Sequence, residues 1–142
     1  MGLKSIVSKF KSVKALNQPS VSIAVTTGSA EDQVTRRLFP KAQVKAFPNV
    51  TTAFLLQEIF SRHETLFGTA SFVLPGLRLK FNNIGFVPND NRGLDAKGIC
   101  LGLRKGDPKF KAYLDNFIKK LRANGTLKKL ENQWLTPENA AS

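Results

Sequence analysis

The residue types best suited to chemistry stand together in "TTGSAEDQ", Thr26 to Gln33. A short apolar run, "VSIAV" (Val21 to Val25), leads into them. Gly28 carries no Cβ, so the backbone there can approach a partner closely. Ser29 suits the N-cap of a helix, and Glu31 and Asp32 suit its first turn, the positive end of the helix dipole. A strand, a tight turn and a helix in this order can offer unpaired backbone N–H groups to an anion. The same order also makes a plain strand-to-helix connection, since turns favour Gly and Ser whatever they do. Other reactive types are scarce. His63 is the only histidine and Cys100 the only cysteine. An internal disulfide is therefore excluded, and a histidine-based metal cluster has little material. Cys100 lies in "GICLGL", between apolar neighbours, which predicts a buried and inert thiol. Asp and Glu together number 10, and no carboxylate pair or nucleophile–base set is visible among them. The sequence thus identifies no catalytic residue, no metal ligand and no cofactor.

Hydropathy patterning supplies the elements that must position the turn. Leu3, Ile6, Val7, Phe10, Val13 and Leu16 fall near helical spacing with lysines between them, which predicts a basic helix over 3–16. Such a helix can lie on a membrane surface or dock its apolar stripe on the protein, and the second reading is favoured. "VSIAV" reads as a buried strand. A helix follows from Ser29, with Val34, Leu38 and Phe39 on one face, and Pro40 ends it. "AQVKAF" (Ala42 to Phe47) reads as a second strand, "PNVTTAFLLQEIFSR" as a second helix and "TLFG" (Thr65 to Gly68) as a third strand. Next comes a helical turn stopped by Pro75 and Gly76, then a fourth strand, "LRLKF" (Leu77 to Phe81). This alternation predicts a small three-layer α/β unit with a mainly parallel sheet. Ligands of such sheets sit at the carboxyl ends of the strands, which is where Thr26 to Ser29 lie. Beyond a polar connection, "ICLGLRKGDP" predicts a strand and then a helix start at Asp107 and Pro108. Phe110, Tyr113, Leu114, Phe117, Ile118 and Leu121 keep a 3.6-residue period. Gly125 stops that helix, Thr126 caps a last one, and "TPENAAS" is a polar tail.

The 142 residues fit one domain or two small lobes. Hydrophobic residues make up 42%, enough for a core, and the eleven Phe make that core Phe-rich. Lys and Arg number 22, giving a net charge of +12. Such charge favours nucleic acid, anionic membrane or another acidic partner. Here the lysines are dispersed, so a soluble, self-repelling surface is the favoured reading. No aromatic-interleaved basic motif supports nucleic-acid binding. No apolar run approaches the roughly 20 residues of a membrane span. Lys4, Lys9, Lys11 and Lys14 break any secretory h-region, so the chain as written is expected to stay in the cytoplasm.

Three longer stretches carry a family resemblance: "LNQPSVSIAVTTGSAED", "RLFPKAQVKAFPNVTTAF" and "GICLGLRKGDPKFKAYLDNFIKKLRANGTLKKLENQWL". Across residues 11–135 the chain resembles the C-terminal half of the family 3 periplasmic solute-binding proteins, the amino-acid receptors of ABC importers. The resemblance implies a periplasmic-binding-protein-like (type II) α/β fold. Residues 1–18 would be the basic N-terminal helix and 19–82 the second, three-layer lobe with a mainly parallel sheet. Residues 83–98 would be a hinge or linker, and 99–142 a strand and two helices of an incomplete first lobe. Family members are about twice as long, with the ligand held between two lobes. The opening half of the first lobe, which supplies an Arg and an aromatic platform to the ligand, has no counterpart here.

The resemblance also implies a site. In the family the turn after the first strand of lobe two reads Gly–Ser/Thr–Thr/Ser, and its hydroxyl and free N–H groups bind the ligand carboxylate. Gly28 and Ser29 fit that pattern. Ala30 falls where the binding hydroxyl is expected, and Glu31 brings a charge that opposes a carboxylate. Thr69 stands where an Asp usually pairs with the ligand's ammonium. The expected ligand set is therefore Gly28, Ser29, Ala30, Glu31 and Thr69, with weakened chemistry. Four functions follow in order of preference. The first is a truncated or diverged solute-binding protein that takes a small amino-acid-like solute weakly or not at all. The second is an interaction protein that forms a homodimer or joins a complementing chain. A basic nucleic-acid or membrane-surface binder ranks below both, and an enzyme is not expected. The family implies the periplasm, against the cytoplasm implied by the N-terminal residues.

Overall fold

The computed structural model describes residues 1–88, 93–95 and 100–135. The chain forms two compact units, Met1–Ala96 and Lys97–Ser142. In the first, three strands form a parallel sheet: β2 (Ser22–Thr26) lies between β3 (Gln43–Phe47) and β4 (Leu66–Phe67). A further pair, β1 (Gly2–Leu3) and β5 (Ile84–Gly85), is antiparallel. Met1 joins the two sets, because its amino group donates to the Phe67 carbonyl and the Phe67 N–H donates to the Met1 carbonyl, each at 2.7 Å.

Side-chain alternation along β2 divides the core between the two faces of the sheet. Ile23 and Val25 pack on one side with Val7, Leu16, Val21, Phe39 and Leu66. Ala24 packs on the other with Leu55, Leu56, Ile59, Phe67, Leu77, Ile84 and Phe86. Helix α2 (Ala30–Leu38) follows β2, and helix α3 (Thr52–Phe60) supplies Leu55, Leu56 and Ile59 to the second cluster. The unit is the expected three-layer α/β lobe with a parallel sheet. One polar pair crosses the second face: Lys45 Nζ lies 2.7 Å from Glu64 Oε1. Glu64 is buried, and its other oxygen has no partner among the described residues.

Several sequence expectations are corrected. The segment 3–16 is not one helix. It is β1, a single helical turn α1 (Lys4–Val7) and a 3-10 turn at Val13–Leu16. A helix this short is marginal by itself, and pairing of Gly2 and Leu3 with β5 takes precedence. Its apolar residues do dock: Val7 and Leu16 are core, with Phe10 and Val13 against them. "LRLKF" is not a strand either. Helix α4 (Leu74–Lys80) contains its first four residues and Phe81 is the C-cap, with Pro75 in the first turn. Proline opens a helix there without loss, because the first amides have no intrahelical acceptor. The period-2 reading of Leu77, Leu79 and Phe81 fails since only Leu77 is buried.

In the second unit, α5 (Pro108–Ala123) starts as its sequence predicts, with the Phe110 N–H donating to Asp107 Oδ1 at 2.9 Å. Gly125 ends the turn at φ +75° and α6 (Thr126–Leu135) follows. Thr126 is the first residue of α6 rather than its cap, and its N–H donates to Asn124 Oδ1. The strand expected over Ile99 to Leu103 is not formed by Cys100–Leu103, which have no partner strand among the described residues. Ile99 lies outside the described residues, as does the polar tail. Cys100 is exposed, not buried, and no strand among the described residues covers it.

Candidate functional site

The turn between β2 and α2 is built from the inside out by hydrogen bonds. Gly28 adopts φ +73°, a conformation that L side chains rarely take. A Cβ there would meet nothing within 4 Å, so backbone conformation and not crowding calls for glycine. The Ser29 N–H donates to the Thr26 carbonyl at 3.1 Å, and the Ser29 hydroxyl accepts from the Asp32 N–H at 3.1 Å. Ser29 is thus the N-cap of α2.

Asp32 completes the turn. One carboxylate oxygen accepts from the Gly28 N–H at 3.0 Å and the other from Arg36 Nε at 2.7 Å. The Gly28 N–H bond, followed by the hydrogen bond and charge of Arg36, holds the Asp32 carboxyl below its ordinary value, against the opposing pull of burial. The amides of Ala30 and Glu31, first in α2, have no acceptor within the helix by geometry. The turn thus carries its own carboxylate on one of its donors and keeps two helix amides beside it.

The second expected position lies on the same edge of the sheet. The Gly68 N–H donates to the Ala24 carbonyl at 2.9 Å, which extends β4 along β2. A Cβ on Gly68 would stand 3.2 Å from Val25 Cγ1, 3.4 Å from Glu31 Cβ and 3.6 Å from Thr35 Oγ1. The structure therefore brings Gly68 against the first turn of α2 and sets Thr69, half-buried, next to it in the chain. From the third strand, the Phe47 carbonyl accepts from the Thr27 N–H at 2.9 Å. Gly28, Ser29, Ala30 and Glu31 thus share the carboxyl edge of a parallel sheet with the end of β4. Two residues escape a sequence reading of the site. Asp32 signals itself only as the last residue of Ser29-x-x-Asp32, a capping-box spacing. Gly68 has no local signal, because its close approach to α2 arises only when the sheet is assembled.

Chemically, the edge can offer N–H groups and hydroxyls to a small polar molecule. Among the described residues, no group of three or more His, Cys, Asp or Glu could hold a metal ion.

Residues 8–137 match the sequence profile of the bacterial extracellular solute-binding proteins, family 3. The chain belongs to this family. Solved structures agree with the assignment. An ancestral amino acid-binding protein, a precursor of cyclohexadienyl dehydratase, is 30% identical with a TM-score of 0.73, over 95% of this chain and 56% of that one. An ancestral cationic amino acid solute-binding protein is 26% identical with a TM-score of 0.63, again over 95% and 56%. A binding component of an ABC transporter from Wolinella succinogenes, complexed with lysine, shares the fold at 21% identity, with a TM-score of 0.73 over 94% and 56%. This family 3 chain thus spans little more than half the length of those solved relatives.

Proposed function

We propose that this chain is a diverged amino-acid receptor, which takes the carboxylate of a small amino-acid-like solute at the N-terminus of α2. The observation that carries the reading is the placement of Gly28 and Ser29 at the carboxyl edge of the parallel sheet, where Glu31 of the same turn stands against Gly68, the residue before Thr69. That is where open α/β sheets hold ligands, and relatives of this family 3 chain bind amino acids. Affinity is low for physical reasons. Ala30 contributes no hydroxyl. Glu31 and Asp32 place two carboxylates near an incoming third. Thr69 accepts a hydrogen bond but does not neutralise an ammonium, and a charge-assisted bond is roughly twice as strong as a neutral one. Asp32 is engaged by Gly28 and Arg36, which favours a holding role over moving a proton for this carboxyl. A receptor of this kind would serve an importer from the periplasm.

Restoring the two missing groups tests the assignment. Ala30→Thr combined with Thr69→Asp is expected to raise affinity for at least one L-amino acid by about tenfold or more, as roughly 1.4 kcal/mol of added interaction gives. Titration calorimetry reads the change. No gain with any amino acid would contradict the placement of the site.

A second reading rests on the other unit. The described residues of Lys97–Ser142 include no buried one. On α5, Phe110, Tyr113 and Phe117 lie in a stacked row with ring centroids 6.5 Å apart, and all three are exposed. Large exposed apolar patches mark interaction surfaces, which favours a homodimer or a complementing chain as partner.

A further inference from the structure

A groove of about 760 Å3 opens in the first unit, away from the turn and sharing no residue with it. One wall runs through Val7, Phe10 and Val13, and Phe81 and Phe86 stand in the lining with them. Among the described lining residues the charges are of one sign. Lys4 and Lys11 line it, and Arg78 holds its guanidinium 4.6 Å from the centre of the Phe86 ring. None of the described lining residues is acidic. The volume lies within the roughly 300–1,000 Å3 of small-molecule sites. Such a lining selects by charge. The two lysines repel a cation, the ammonium of an amino acid included. A small inorganic anion gains the charge but leaves the apolar walls wet. An anion with an extended apolar body satisfies both.

We propose that this groove binds a fatty-acid-like anion, with its carboxylate at Lys4 and Lys11 and its acyl chain along the wall from Val7 to Val13. Val7, Phe10 and Val13 give the lining apolar surface that suits an acyl chain, and the lysine stems add methylene surface beside the charge. The site is independent of the receptor reading, since it uses neither Gly28 nor Thr69.

Titration calorimetry with laurate and octanoate at 0.15 M salt, below micelle formation, tests it on the full chain. Laurate is expected to bind more tightly than octanoate, by about two- to fourfold per added methylene. Dodecylamine and inorganic phosphate are expected to bind at least tenfold more weakly than laurate. Lys4→Gln with Lys11→Gln alters exposed side chains only, and should weaken laurate at least tenfold while circular dichroism stays unchanged. Amide chemical shifts should move on laurate addition at Phe10 and Phe86, which reports the location without any variant. Equal binding of laurate and dodecylamine, an unchanged laurate affinity in the double variant, or shifts confined to the second unit would each overturn the proposal. So would binding of an acidic amphipathic peptide with no response to laurate, which would make the groove a protein-docking site.

Discussion

At the first turn of α2 the Gly28 amide is already engaged by the Asp32 carboxylate. This carboxylate is nearly buried and holds two partners at 3.0 and 2.7 Å. Its value is lowered in the fold by the Gly28 N–H first and by Arg36 after it. The sign of the linkage follows: as pH falls below the ordinary value of 3.8, the unfolded chain takes up this proton before the folded chain does. Stability contributed by Asp32 is therefore complete well above 3.8 and is lost as pH falls through the folded value. Asp32→Asn should cost about 1–3 kcal/mol at neutral pH, and the gap to the wild type should close in acid. Urea denaturation from pH 7 to pH 3 measures it, and a gap that stays constant with pH would contradict the assignment. At this scale the cap at Ser29 was legible because Ser followed by acids is a local pattern. The role of Asp32 was legible only as the Ser29-x-x-Asp32 spacing, and its bond to the Gly28 N–H appears only with the backbone geometry of the turn.

Elements were legible where the pattern was local and misread where a partner decided it. Residues of β2, α2, β3 and α3 carry their own signals, and the structure forms them within a few residues of expectation. "LRLKF" misled because alternation over five residues fits a strand or one side of a short helix, and Pro75 opens a helix as readily as it closes one. Cys100–Leu103 misled because a strand needs a neighbour, and none stands there among the described residues. The joint between layers is clearest at Ile59 on α3, which is wholly buried against the sheet. Ile59→Ala should destabilise the first unit by about 2–5 kcal/mol through lost contact and a residual cavity. Its effect on hydrogen exchange should be confined to Met1–Ala96, since that unit has its own core. Equal loss of protection in α5 would show that the two units unfold together.

For the whole molecule, the charge of +12 and the aromatic row of α5 pull in opposite directions. Charge repels a second copy at low salt, and screening shortens that repulsion to about 8 Å at physiological ionic strength. If the row seats a second copy, sedimentation should show association that rises with salt and disappears in Phe110→Ser with Phe117→Ser. A monomer at every salt concentration would assign the row to a different chain. The family was legible in whole stretches such as "LRKGDPKFKAYLDNFIKKLRANGTL", because a capped helix, its stop and the next helix must follow in fixed order. Weakened binding is expected from the sequence, because Ala30, Glu31 and Thr69 depart from the pattern that the family resemblance implies.

The most direct test is thermal unfolding against a panel of L-amino acids, for the wild type and for Ala30→Thr with Thr69→Asp. A ligand at a hundred times its dissociation constant adds about 2.7 kcal/mol, which is an obvious rise in Tm for a chain of this size. A receptor with attenuated chemistry should show a small rise in the wild type at high concentration. The double variant should show a larger rise, with the same amino acid. Cooperative melting with no shift in either protein, across the whole panel, would contradict the account and leave the fold without its receptor function.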